Sequence, residues 1–232
     1  ITLNRFFALH VVALPIVLLG LVVLHILALH EVGSNNPDGI DIKKNKDENG
    51  IPKDGIPFHP YYTVHDLLGV GVFFFIFFIV VFFFPEMGGL FLEKPNFEPA
   101  NALKTPAHIA PVWYFTPFYA MLRAVTVDFM GLPAKFWGVV VMGGAIAILF
   151  VLPWLDRSPV RSIRYKGWLS KIALAIFAVS FVILGYLGLV PATEGRTTVA
   201  QILTVLYFLY FILMPFYTRM ENTKPVPERV TG

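Results

Sequence analysis

The chain has 232 residues, 56% hydrophobic, 16% aromatic and only 14% charged, with a formal net charge of +3. A soluble domain of this size needs far more charge to cover its surface, so the composition points to an integral membrane protein. The absence of cysteine excludes disulfides, thiolate metal sites and a cysteine nucleophile. The basic residues fall in loops rather than along one face, which argues against a nucleic-acid partner.

The first predicted element is a membrane-spanning helix over residues 6–30, inside the apolar stretch RFFALHVVALPIVLLGLVVLHILALHE. About 20 apolar residues suffice to span a bilayer. The run is too long for a signal peptide and no small-residue cleavage site follows it. Because the chain opens on Ile1 and enters this helix within five residues, it is expected to be the C-terminal part of a longer polypeptide. The helix carries His10, His25 and His30. A lone imidazole in lipid is costly and needs a partner. On a regular helix His10 and His25 lie about 60° apart in rotation and roughly 22 Å apart in rise, one toward each membrane face. Each could bond a serine or carbonyl on another helix. For two of them on one side of an aromatic-rich bundle, metal or heme ligation is the better reading, since neutral imidazole is the commonest metal ligand and bundle cores hold cofactors.

Residues 33–60 are polar and rich in Gly, Pro and Asn, and read as a solvated loop. A second span is predicted at 64–84, with a Phe-rich run at 73–84 that reads as lipid-facing bulk. Segment 85–135 is long; its part PVWYFTPFYAMLRAV is too aromatic for a free loop and too short to span, so it is expected to lie in the outer interface or fold back into it. Three further spans are predicted at 136–155, 172–191 and 199–218. Pro15, Pro153 and Pro215 fall within or near spans, where neighbouring groups can satisfy the freed carbonyls. With five spans, twelve Lys and Arg fall on one side and six on the other. The positive-inside rule makes the twelve-charge side cytoplasmic, with the C-terminus on it. The predicted fold class is therefore all-α integral membrane, five transmembrane helices with an interfacial helical segment in the outer loop.

Four ordered motifs, RFFALH…LHEVGSNNPDG, FHPYYTVHDLLG, TPAHIAPVWYFTPFYAMLRAV and LTVLYFLYFILMPFYTRMEN, cover essentially the whole chain. Together they resemble bacterial-type cytochrome b of the quinol–cytochrome c oxidoreductase (cytochrome bc) complexes, from the fourth transmembrane helix onward. The resemblance implies three parts: a heme-ligating helix over 1–31 that ends the N-terminal heme-binding bundle, a cytoplasmic loop over 32–63, and a C-terminal domain over 64–232 with a quinol-oxidation loop at 85–135. It implies two non-covalent b hemes, with His10 on the low-potential and His25 on the high-potential iron. The opposing axial ligands would lie outside this sequence. Fourteen residues separate the two histidines, one more than in mitochondrial members. One residue is about 100° of helix, so a local bulge, with Pro15 a natural place, or a rotated heme must absorb it.

The resemblance also places two quinone sites. At the inner one, His30 and Asp66 would face the quinone and donate protons, for which imidazole and carboxylate are apt. Ser34 matches a neighbouring family position. Read without the family, Asp66 is an acid favoured at a helix N-terminus. At the outer quinol site the family motif PEWY appears as PVWY, residues 111–114, so Val112 stands where an acid usually serves proton exit. Glu93 is expected to substitute for it. Pro111, Tyr114 and Tyr119 are expected to line the pocket.

The implied activity is quinol oxidation at the outer site and quinone reduction at the inner one, joined by electron transfer through two hemes and contributing to a proton gradient. Implied partners are a Rieske-type iron–sulfur protein, a c-type cytochrome subunit, quinone and membrane lipid, in a homodimeric complex of the bacterial inner membrane. One alternative is a diheme b-type subunit of a photosynthetic-type or hybrid quinol-oxidising complex, which the fourteen-residue spacing and the missing acid favour. Another is a transporter, which would need broken helices around a midplane site.

Overall fold

The computed structural model describes residues 2–92, 94–99, 101, 103–104 and 109–231, with the backbone alone at 94 and 96. Among these residues the structure is helical, with isolated bridges Lys46–Pro52 and Phe129–Leu132 and no strand. The helices are α1 (Thr2–Val32), α2 (Thr63–Phe83), α3 (Thr116–Ala124), α4 (Ala134–Leu155), α5 (Trp168–Leu189), α6 (Glu194–Ile212) and α7 (Met214–Met220). Five stretches are long and apolar enough to cross a membrane, matching the five predicted spans.

The boundaries differ where polar groups act at a distance. Helix α5 starts at Trp168, not 172, because the Glu221 carboxylate accepts from the Ser170 N–H (3.2 Å) and hydroxyl (2.8 Å) 51 positions away. That carboxylate meets the orphan donors of the first turn and the positive end of the helix. Helix α6 starts at Glu194, capped by Thr193 Oγ1, which accepts the Arg196 N–H at 3.4 Å. It ends at Ile212 because Pro215 occupies the first turn of α7 and cannot continue the ladder.

The chain forms two compact units, one of Ile1–Asp54 with Val226–Gly232, the other of Gly55–Pro225. In the second unit α3 is the centrepiece. It packs against α4, α5 and α6 and buries Thr116, Pro117, Ala120, Met121 and Ala124. The segment expected to lie in or fold back into the interface is thus packed by one face against three helices. Lipid offers no hydrophobic drive for helix association, so small residues and interhelical hydrogen bonds must hold it. A β-carbon on Gly138 would stand 2.5 Å from the Leu122 carbonyl oxygen, and one on Gly188 would overrun the Thr116 carbonyl. These two glycines let α3 reach both neighbouring backbones. Gln201 Nε2 donates to Ala124 O at 2.9 Å, and the Tyr207 hydroxyl donates to Ala145 O at 2.8 Å. Phe177 joins α5 to α6 through Tyr207, Tyr210 and Phe211, with ring centroids 4.5–5.5 Å apart; such pairs contribute about 0.5–1.5 kcal/mol each beyond area burial. Helix α2 instead buries no residue, its Phe73–Phe77, Phe74–Phe78 and Phe78–Phe82 rings stacking along its own surface.

In the first unit the loop after α1 is folded rather than a free excursion. Gly33, at φ 86°, closes the helix by donating to Leu29 O at 2.7 Å. Asn36 and Ile40 exchange hydrogen bonds, and Asp47 Oδ1 accepts the N–H groups of Asn49 and Ile51. The C-terminal tail completes this unit. Arg229 pairs with Asp54 at 2.7 Å, and Thr231 donates through both N–H and hydroxyl to buried Asp38 at 2.9 Å. The hydrogen bond from Arg229 is the main cause holding the Asp54 carboxyl below its ordinary 3.8. A depressed carboxylate stabilises above the unfolded value and loses that contribution as pH falls through the folded one. Residues 226–231 are therefore expected to resist proteolysis at neutral pH and to be released only in acid, as pH falls through the lowered Asp54 value. In Arg229→Ala they are expected to be digested at neutral pH as well; an equally resistant variant would show that the pair does not hold the tail.

Candidate functional site

Helix α1 is not uniform. Residues Leu9–Ala13 form a π turn, in which the Leu14 N–H reaches back to Leu9 O, before a regular α-helix resumes over Leu14–Val32. Pro15 sits in the first turn of that resumed helix. It has no N–H for the Val11 carbonyl, and its ring would press on that oxygen. A wide turn directly ahead of it accommodates both, and such turns take in one extra residue. His10 lies inside this turn. The bulge that the spacing called for is therefore present.

Neither His10 nor His25 makes a hydrogen bond among the described residues, and both are exposed on a helix with no buried residue. The alternative, a serine or carbonyl partner on another helix, is thus not met among the described residues. No cluster of three or more His, Cys, Asp or Glu forms among the described residues, so a wholly protein-made metal site has no support there. A heme would fit what is present, an imidazole free of other partners among the described residues beside an apolar helix surface.

At the other end of α1, His30 lies in the last turn and Ser34 follows the closing Gly33. The Lys43 ammonium returns from the loop to donate to Glu31 O at 2.5 Å and His30 O at 3.4 Å. It satisfies open carbonyls and complements the negative end of the helix. Asp66 sits in the first turn of α2, exposed, with the His65 ring edge-on to Tyr62 at 6.4 Å. His30 and Ser34 belong to the first unit and Asp66 to the second.

The outer stretch begins at half-buried Pro111. Trp113–Phe115 form one 3-10 turn, with Tyr114 exposed between the neighbouring rings of Trp113 (5.5 Å) and Phe115 (5.3 Å). The Thr116 hydroxyl donates to Trp113 O at 2.6 Å and joins this turn to α3. Tyr119, on α3, is half buried beneath the Arg123 guanidinium, 4.6 Å from its ring centre. Tyr114 and Tyr119 thus share one continuous turn-and-helix element, with Pro111 two residues ahead of it. Val112 is exposed at its start. Glu93 lies outside the described residues. Glu86 of the same loop is placed, lining an open depression of roughly 450 Å³ with Phe83, Phe84 and Met87.

Sequence reasoning missed Lys43 and Arg123. Arg123 donates to the carbonyls of Leu187 and Val190, closing the C-terminal end of α5. An arginine inside an apolar segment was the available signal, because such a charge must find carbonyls or a counter-ion. Lys43 gave no signal, being one of several lysines in a polar loop.

Two family descriptions match the chain: "Cytochrome b(N-terminal)/b6/petB" over residues 1–117 and "Cytochrome b(C-terminal)/b6/petD" over 99–208. Cytochrome b of Allochromatium vinosum is 65% identical over 100% of this chain and 56% of its own length. Cytochrome b of Rickettsia bellii is 48% identical over 99% of this chain and 53% of its own length. A solved structure described as a hyperthermophilic respiratory Complex III has a chain 38% identical, superposing with a TM-score of 0.80 over 95% of this chain and 52% of that one. The chain thus spans about half the length of the curated relatives it matches. With its apolar helices and these relatives it is a multi-pass membrane protein, and it belongs to the cytochrome b family.

Proposed function

We propose that the chain is the later part of the diheme membrane subunit of a respiratory quinol–cytochrome c oxidoreductase. The single observation that carries this reading is the pair of unpartnered imidazoles, His10 and His25, near opposite ends of one apolar helix in a member of the cytochrome b family. Residues 1–31 would complete a heme-binding bundle, and 64–232 would carry the outer quinol site. His10 would hold the low-potential and His25 the high-potential heme iron, each through a neutral ring nitrogen. When bound, the hemes supply one-electron chemistry between the two quinone sites.

The remaining steps fall to side chains. At the inner site His30 and Asp66 each pass a proton to a quinone carbonyl oxygen as it is reduced, and Ser34 helps to orient the ring. Two electrons and two protons convert quinone to quinol, so one imidazolium and one carboxylic acid, left as imidazole and carboxylate and re-protonated from the aqueous side, balance the step. The Lys43 ammonium holds the backbone of the turn carrying His30 in place. At the outer site Pro111, Val112, Tyr114 and Tyr119 line the quinol pocket and Glu93 accepts the outgoing proton. The partners are a Rieske-type iron–sulfur protein, which takes one electron from the quinol, and a c-type cytochrome subunit, in a homodimer in the bacterial inner membrane with the C-terminus cytoplasmic.

The test is a redox titration of the visible difference spectrum in membranes carrying the polypeptide together with the preceding segment its relatives possess. Two b-type bands titrating at separate potentials are expected. A spectrum without any b-type band would overturn the proposal.

A further inference from the structure

Pro15, Pro153 and Pro215 interrupt α1, α4 and the α6–α7 run, and the chain resolves each differently; a fourth, Pro60, lies within a second wide turn, Phe58–Tyr62, ahead of α2. Pro153 in α4 follows a tightened 3-10 turn over Ile148–Val151. Pro215 ends α6 and opens the short α7. Only Pro15 follows a widened turn, Leu9–Ala13, and that turn contains His10. A proline does not by itself demand widening, so the choice at Pro15 has a separate consequence.

That consequence is register. From His10 to His25 the chain advances fifteen residues, which on an unbroken α-helix is a rotation of about 60°. The wide turn takes in one residue without its share of rotation, so the step advances like fourteen residues, to about 40° on the opposite side. The imidazole of His10 is thereby turned by about 100° relative to the regular helix below it. Beyond the turn the helix runs on regularly through Val32, so no later feature undoes this.

We propose that the Leu9–Ala13 turn is a register device: α1 carries one residue more than the relation between its two imidazoles requires, and the wide turn absorbs that residue to aim His10. The residues of the turn are positioning residues, acting through His10. The inference rests on His10 holding a heme iron, as proposed above.

It is tested in membranes carrying the complete polypeptide, by redox-resolved difference spectra and heme-to-protein ratio. Deleting Val12, inside the turn, is expected to give a regular helix with His10 still aimed correctly, so both b-type bands persist with unchanged midpoint potentials. Deleting Leu18, in the regular part, leaves the wide turn in place and swings His10 by a further 100° or so; the low-potential band is expected to disappear while the high-potential band remains. Deletion of Val11 should behave like deletion of Val12. The proposal is overturned if both turn deletions lose the low-potential band, or if deletion of Leu18 keeps it. It is equally overturned if neither turn deletion accumulates in the membrane, because the turn is held to contain a dispensable residue. A His10→Leu control separates the two claims: persistence of both bands there would remove the ligand assignment itself, whatever the deletions do.

Discussion

Replacing His25 by leucine is expected to abolish the high-potential b-type band, leave the low-potential one, and reduce quinol–cytochrome c turnover to about one per cent or less; His10→Leu should remove the other band with the same kinetic loss. Loss of an outer-shell partner alone costs about 10–100-fold at a metal centre, and an axial ligand should cost more. Leucine is the informative replacement. Both positions lie on a helix with no buried residue among the described residues, and leucine is more favourable than histidine within an apolar membrane-spanning helix. The variant polypeptide should therefore accumulate normally, so spectral loss reports ligation rather than folding. Wild-type spectra in both variants would leave the two imidazoles without the role assigned to them.

The second large effect is structural. In Gly188→Ala the new methyl would lie 2.6 Å from the Thr116 carbonyl carbon and 2.7 Å from its Cβ. Backbone cannot yield as a flexible side chain can, so α3 must shift away from α5. Overpacking of this kind costs about 1–3 kcal/mol, against the roughly 1 kcal/mol that alanine gains over glycine in a helix. Because α3 carries Tyr119 and continues from the Pro111–Tyr114 stretch, the shift should also weaken the quinol oxidation proposed for that stretch. Gly185→Ala is the matched control. Its methyl would meet Pro117 Cγ at 3.6 Å and Thr116 Oγ1 at 3.7 Å, ordinary van der Waals distances. Thermal unfolding in detergent should show Gly185→Ala equal to or above the parent and Gly188→Ala clearly below it. Equal stability of the two would contradict the tight crossing.

Hydropathy placed all five spans because each is a continuous apolar run, a property of local composition. It misjudged the start of α5 by four residues because the cap on Ser170 is the Glu221 carboxylate. It carried 199–218 as one span because apolarity continues through the point where Pro215 stops the ladder. The loop after α1 read as solvated and without a role; its order comes from Lys43 on the end of α1 and from the tail residues Arg229 and Thr231, contacts between distant positions. The histidines were legible because an imidazole in an apolar helix contradicts its surroundings. Arg123 carried the same contradiction, but the carbonyls that answer it belong to Leu187 and Val190 on another helix.

By itself, then, the order of residues determined the membrane class, the number of spans and the candidate imidazoles, because apolar runs and misplaced polar groups are local signals. Only the tertiary structure decided that residues 116–124 of the interfacial segment bury five of their nine side chains against three other helices, and that the helix around His10 is widened. The first depends on glycines of two other helices admitting the backbone of α3. The second depends on how the backbone ladder resolved one proline, since the spacing left open whether a bulge near Pro15 or a rotated heme would absorb the extra residue.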